Sequence, residues 1–298
     1  MKRLQSNIAV HIGWPKTATR SLRQSFFQVH PGLNAIVAPR GGEKPDPIAS
    51  ELIGGLQQSE QGWRQSRPRL EALLEERLSS ERTNILAAEA LAIGATPYNR
   101  SCADAATIAH RLHALMPNAQ ILMNVRAQFP VLKSTHIQLF AMMSPVSADF
   151  NRFIRAEHQA KVLSLLPYYQ YDAAVERYRE LFGADQVHVF IHETLSGEKQ
   201  AYARRLAAIL NLPETETLEH LNAKPRNRGE EKRVSPRILT KVFCYQCALK
   251  RPAEILRFLR PAPIDDATKT LIADYYRESN QRLASQLAVD LAPLGYAV

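Results

Sequence analysis

An α/β fold with a central parallel sheet flanked by helices is what this sequence predicts. Three observations predict it. Short apolar runs of strand length alternate with longer segments of helical periodicity over the first two thirds of the chain. The short runs are continuously apolar, as strands buried on both faces are. The 298 residues, 45% of them apolar, suffice for one large α/β domain. One domain over 1–298 is therefore the expectation, with a helical C-terminal extension over about 235–298.

The elements follow in order. Asn7–Gly13 reads as a buried strand ending in a glycine, and Thr19–Val29 as a helix with Leu22, Phe26 and Phe27 on one face. Pro31-Gly32 stops that helix, and Asn34–Ala38 reads as a second strand. Helices are expected around Ile48–Gln57 and Pro68–Leu78, then a strand over Arg82–Ala87. Asp104 is a suitable N-cap for a helix over Ala105–Met116. A strand over Gln120–Val125 leads into a helix over Phe129–Met142. Helices over Asp149–Leu165 and Tyr171–Phe182, a strand over Gln186–Ile191 and a helix over Gly197–Leu210 complete the alternation. The tail reads as helix interrupted by prolines, its last long helix spanning about Asp265–Leu291.

Composition narrows the function classes. No run of roughly 18 apolar residues occurs, so no transmembrane helix is expected. The apolar stretch near the N-terminus is too short for a signal-peptide core, and a cytoplasmic location is the expectation. The formal net charge of +9 suits an anionic ligand. The basic residues are interrupted by acidic ones and lack aromatic interleaving, so no nucleic-acid partner is expected. Cys244 and Cys247 form a C-x-x-C pair without the further ligands a zinc site needs, inside an apolar stretch, Ile238–Leu249, that reads as helix. They read as buried, inert thiols.

The first segment that carries chemistry is Pro15-Lys16-Thr17-Ala18-Thr19-Arg20-Ser21. It turns from a parallel strand into a helix, where backbone N–H groups and the positive dipole end favour an anion. Lys16 adds a point charge, and Thr17, Thr19 and Ser21 add hydroxyl donors. The nucleoside-triphosphatase loop G-x-x-x-x-G-K-[ST] is absent, and no aspartate closes a magnesium site after the next strand. A triphosphate needs a divalent metal to spread its charge, whereas a sulfuryl group needs less. The second segment is Ile121–Arg126, with Arg126 at a strand tip and Ser134 eight positions on. An arginine so placed and a serine on the adjoining helix can converge on one phosphate.

Pro15-Lys16-Thr17-Ala18-Thr19-Arg20-Ser21-Leu22 resembles the P-K-[ST]-G-T-T-x-L loop of sulfotransferases that use 3′-phosphoadenosine 5′-phosphosulfate (PAPS). Ile121–Gln128 together with Ser134 resembles their second motif, and Val187–Leu195 resembles the post-strand Y-E-D-L. The resemblance runs over nearly the whole chain and is strongest to bacterial members acting on carbohydrates or other small acceptors. It implies the P-loop-like sulfotransferase fold. It implies that Pro15, Lys16, Thr17, Ala18, Thr19, Arg20 and Ser21 grip the 5′-phosphosulfate and that Arg126 and Ser134 grip the 3′-phosphate. It implies PAPS as co-substrate, adenosine 3′,5′-bisphosphate (PAP) as product, and no metal. Three positions depart from the pattern: Ala18 replaces the loop glycine, Arg20 the second threonine, and Val131-Leu132 the usual Asp-Arg pair.

An acceptor hydroxyl attacking sulfur in line needs a base on its side. Glu89, just after the Leu86-Ala87-Ala88 strand end, is the first candidate, and it resembles the post-strand glutamate of bacterial members. His11, just before the loop, is the second, and His136 the third. Lys16 is the expected stabiliser of charge on the leaving oxygen. Arg226 and Arg228, in the basic segment Lys224–Gly229, are expected to close over the nucleotide. A carbohydrate or small-molecule acceptor is the expected partner, with its pocket lined by Pro39–Pro47, Gly94–Ser101 and Met142–Phe150. The acceptor's identity and the oligomeric state leave no signature in the residues. Two other readings stay open: a P-loop kinase using Mg-ATP, and a non-catalytic nucleotide- or anion-binding relative.

Overall fold

A computed structural model describes residues 7–37, 46–94, 101–142, 146–160, 164–222, 258 and 262–298. The chain divides into two compact units, one of residues 1–126 and 172–226 and one of residues 127–171 and 227–298.

The first unit is built on five parallel strands: β1 (Ile8–His11), β2 (Leu33–Val37), β3 (Thr83–Ala87), β4 (Gln120–Val125) and β5 (Val187–Ile191). Their order is β2-β3-β1-β4-β5, so β1 lies at the centre. All neighbours pair in parallel; His11 is level with Ala87 on one side and Leu122 on the other, and Val125 with Ile191. The five strands are the ones the apolar runs predict.

Helices cover both faces. On one side, α1 (Thr19–Leu22) runs directly into a π-helical turn over Arg23–Phe27, where a single α-helix is expected from the sequence. Leu22, Phe26 and Phe27 from this run pack on Ala9, Ile85, Leu122 and Phe190 of the sheet. Between β2 and β4 come α2 (Pro47–Leu56), α3 (Glu60–Arg77), the short α4 (Ala90–Ile93) and α5 (Ala105–Leu115), with α2, α3 and α5 packed on one another. Asp46, Ser59 and Asp104 cap α2, α3 and α5 through their side-chain oxygens. The sequence places the start of α3 at Pro68. The helix begins eight residues earlier because Ser59 caps it and the Glu60–Arg64 pair, four apart, supports its polar first turns.

The second unit holds α6 (Gln128–Met142) and α7 (Phe150–Gln159), the latter shorter than the predicted span to Leu165. Leu166–Tyr169 follows as a 3-10 turn. In the first unit again, α8 (Tyr171–Phe182) ends at Gly183, whose φ of 90° lets the chain turn into β5. After β5 come α9 (His192–Gly197), α10 (Lys199–Leu210) and α11 (Glu214–Asn222), α9 and α11 having no counterpart in the sequence reading. Tyr202, Leu206 and Leu210 of α10 join the same core as Phe26 and Phe27. The long C-terminal helix α12 (Asp266–Leu287) belongs to the second unit. There Asn280 and Gln128 exchange amide hydrogen bonds of 2.7 and 3.1 Å, and Asn280 also donates to the Ala297 carbonyl, which anchors the chain end. The expected Cys244–Cys247 helix lies outside the described residues.

Candidate functional site

The parallel sheet brings the carboxyl ends of its strands to one edge of the first unit. In spatial order that edge carries Glu89 after β3, the Gly13–Ala18 loop after β1, Arg126 after β4 and His192 after β5.

The loop is wound around one carbonyl. The Trp14 carbonyl accepts from the Thr17 N–H at 3.4 Å, the Thr17 hydroxyl at 2.6 Å and the Thr19 hydroxyl at 3.2 Å. Trp14-Pro15-Lys16-Thr17 is thus a tight turn with proline second and a positive φ, 69° at Lys16, third. That is the type II pattern, in which the third position favours glycine. Ala18 also sits in the left-handed region, at φ 66° and ψ 5°, as the N-cap of α1. The hydroxyls of Thr17 and Thr19, both buried, therefore hold the turn. The N–H groups of Thr19, Arg20 and Ser21 are the ones without an acceptor inside the helix. Arg20 is exposed, Lys16 and Ser21 half-buried. Gly13 is required by packing: a β-carbon there would lie 2.6 Å from the Thr19 hydroxyl and 2.8 Å from the His11 ring.

Strand β4 supports the loop from beneath. Arg126 donates to the Lys16 carbonyl at 3.0 Å. Asn124, buried, donates to the Thr17 carbonyl at 3.4 Å and to the Tyr202 hydroxyl at 3.0 Å. Its amide oxygen pairs with His11 Nε2 at 3.1 Å, so Nε2 carries the proton and donates. His11 Nδ1 is then a buried acceptor without a hydrogen-bond partner. Burial lowers the His11 pKa to about 4, against a smaller upward effect of the Asn124 bond. The ring is neutral at pH 7 and lies 5.1 Å, centroid to centroid, from Phe27.

His192 is not among the residues that the sequence singles out, although a histidine directly after an apolar strand is a signal. It is lowered to about 4 by burial first and by the Arg126 guanidinium second, and its Nδ1 is buried without a partner. Asn124 is not among those residues either; its signal is a lone amide within Ile121–Val125.

Among the other predicted residues, Glu89 is half-buried and directly precedes α4, at the same strand edge. Ser134 and His136 lie on α6, in the second unit. His136 pairs through Nε2 with the Ser147 carbonyl at 2.7 Å and packs on Phe150 and Phe153; burial lowers its pKa. That is the environment of a core histidine. Arg226, Arg228 and most of the expected acceptor-loop residues, 39–45, 95–100 and 143–145, lie outside the described residues.

No protein-family model matches the chain, and no curated protein sequence matches it. Solved structures do. A sulfotransferase from Alicyclobacillus acidocaldarius superposes with a TM-score of 0.57 at 16% identity, over 97% of this chain and 98% of that one. The sulfotransferase domain of the Synechococcus PCC 7002 olefin synthase gives 0.48 at 15% identity, over 96% of both chains. The sulfotransferase domain from the curacin biosynthetic pathway gives 0.46 at 15%, over 96% of this chain and 98% of that one. The first of these likenesses, end to end on both chains, establishes that this protein has the sulfotransferase fold.

Proposed function

We propose that this protein transfers a sulfuryl group from PAPS to a hydroxyl or amine of a carbohydrate or other small acceptor. The observation that carries the reading is the joint between the two anion motifs, in which Arg126 grips the Lys16 carbonyl and Asn124 the Thr17 carbonyl. It holds a strained turn with its helix-start N–H groups at the carboxyl edge of the central strand. The 5′-phosphosulfate would sit on those N–H groups, with Lys16 stabilising the negative charge that develops on the bridging oxygen as the S–O bond breaks. Arg126 would take the 3′-phosphate, the role that its motif resemblance implies.

Glu89 is the base in this reading. It stands beside the loop at the end of β3 and is half-exposed to an incoming acceptor. His11 is buried and donates to Asn124, which suits a support for the loop better than a proton acceptor for substrate. The acceptor oxygen attacks sulfur, its proton passes to Glu89, and PAP leaves with the electron pair of the broken bond. Arg226 and Arg228 are proposed to close over the nucleotide, and a cytoplasmic location goes with a PAPS supply. Neither the chemistry nor the loop calls for a metal at this step.

Calorimetric titration of PAP without magnesium, beside Mg-ATP with it, tests the reading. Binding of PAP that is indifferent to magnesium is the expected result. Binding of Mg-ATP alone would replace it with a kinase. PAP binding without sulfate transfer from labelled donor, over a broad acceptor panel, would favour a non-catalytic relative.

A further inference from the structure

We infer a divalent-cation site in the first unit, built from His30, Glu216 and His220, that takes zinc or a similar late first-row ion. The three side chains offer ligand atoms all within 4.8 Å of one another. Their chemistry, two imidazoles and one carboxylate, is a zinc donor set.

The geometry comes from two elements that each have their own reason to be there. Glu216 and His220 are four apart on α11 and so share a face. His30 ends the turn that follows the π-helical segment Arg23–Phe27; its N–H bonds the Phe26 carbonyl at 2.9 Å and its ring packs edge-on against Phe26. Its centroid is 5.0 Å from that of His220, and its Nε2 is 3.9 Å from a Glu216 carboxylate oxygen.

A second observation points to a ligand. The His30 side chain is fully buried, yet its Nε2 has no hydrogen-bond partner. Nδ1 accepts from the Gly32 N–H at a long 3.2 Å, so Nε2 carries a proton whose Glu216 neighbour, 3.9 Å away, is beyond hydrogen-bond range. A buried polar atom left in this state needs a reason. A cation on Nε2 supplies it. Binding moves the ring proton to Nδ1 and gives up the long Gly32 contact.

The fit needs little movement. A tetrahedral ion with ligands about 2.0–2.1 Å away sets its ligand atoms roughly 3.4 Å apart. Glu216 and His220 are both part-exposed, so their side chains can close the remaining distance, and water can take the fourth position. The ion would pin α11 to the end of the helical run that begins at the Lys16 loop. Its role is structural bracing, independent of the proposed transfer reaction.

The test uses the full chain stripped of metal by chelation. Zinc is titrated by competition with a chromophoric chelator into the parent, Glu216→Gln, His220→Ala and a Cys244→Ser/Cys247→Ser variant. One tight equivalent is expected in the parent and the cysteine variant. Each ligand variant should weaken it by at least about tenfold, the lower end of what losing even an outer-sphere partner costs. Cobalt in the parent should give tetrahedral d–d bands with no thiolate charge-transfer band. Zinc should also raise the thermal midpoint of the parent by roughly 5 °C, and of the isosteric Glu216→Gln protein by much less. Equal affinity in the parent and both ligand variants, or loss of binding only in the cysteine variant, would overturn the site.

Discussion

Both ends of the five-stranded sheet bury asparagine amides, but the polar groups around them are matched at one end and not at the other. At the amino end, Asn84 of β3 pairs with its register neighbour Asn34 of β2. Asn84 accepts from Asn34 and from the Ser79 N–H, both at 2.7 Å, and donates to the carbonyls of Asn7 and Ser79. Asn34 in turn donates to the Arg77 carbonyl and accepts from the Arg77 guanidinium. Every polar atom of both amides is matched. At the carboxyl end, Asn124 is equally well used, but the groups around it are not. His11 Nδ1 and His192 Nδ1 are buried without partners, and Lys16 and Ala18 sit at positive φ. A polar network closed on itself stabilises; one that leaves capacity unmet next to strained backbone marks a place where a ligand completes it.

Substitutions at the two ends should therefore separate function from stability. Lys16→Ala is expected to have the largest effect, a fall of about a hundredfold or more in sulfate transfer, as with other lost charge stabilisers. Its unfolding midpoint should stay within a degree or two of the parent. A transfer rate within a fewfold of the parent would remove Lys16 from the reaction. Asn84→Ala, at the other end, strands several buried partners and should cost about 2–3 kcal/mol in urea unfolding. PAP affinity of the folded protein should not change. Asn124→Ala should lose both stability and PAP affinity, because the Thr17 carbonyl and Tyr202 hydroxyl lose their donor.

The carboxyl end should also be the acid-sensitive one. In the folded protein His11 and His192 are lowered to about 4, and in the unfolded chain both titrate near 6.5. Above pH 6.5 neither state binds these protons. Between pH 6.5 and 4 only the unfolded chain does, so the stability present at neutral pH is lost as pH falls, by roughly 1 kcal/mol per unit for each group. His11→Gln keeps a donor for Asn124 and removes the titration. Urea midpoints at pH 7, 6 and 5 should fall less steeply in that variant; an unchanged slope would show that His11 does not titrate this way.

How far the sequence reveals these features depends on their range. The five strands are legible because each is a local apolar run, and the loop because proline, lysine and hydroxyls mark a strand–helix turn. Arg126 is legible as a charge at the tip of an apolar strand. Its grip on Lys16, 110 residues away, is not, because backbone carbonyls have no sequence signature. The π-helical turn over Arg23–Phe27 escapes because one extra residue per turn barely shifts the apolar spacing. Helix α11 escapes because its nine residues are mostly polar, with Thr217 the buried one. The cation cluster escapes with it, since His30 gains its neighbours only when α11 docks.

The smallest expected effect bears most directly on the strained loop. Ala18 sits at φ 66°, which costs an alanine about 1–2 kcal/mol relative to its ordinary conformation. Ala18→Gly removes that cost and returns about 0.4–1 kcal/mol of it through the freer unfolded chain. A net gain of about 0.5 kcal/mol is expected. Ala288, the C-cap of α12 in the second unit, has φ 52° and provides the control. Ala288→Gly should stabilise by a similar amount and leave PAP binding unchanged. If the loop's strain serves the ligand, Ala18→Gly will change PAP affinity where Ala288→Gly does not, because the proposed phosphosulfate site is made of backbone N–H groups there. Equal behaviour of the two variants in both measurements would make Ala18 an ordinary left-handed cap and leave Lys16 and Arg126 as the working parts of the proposed site.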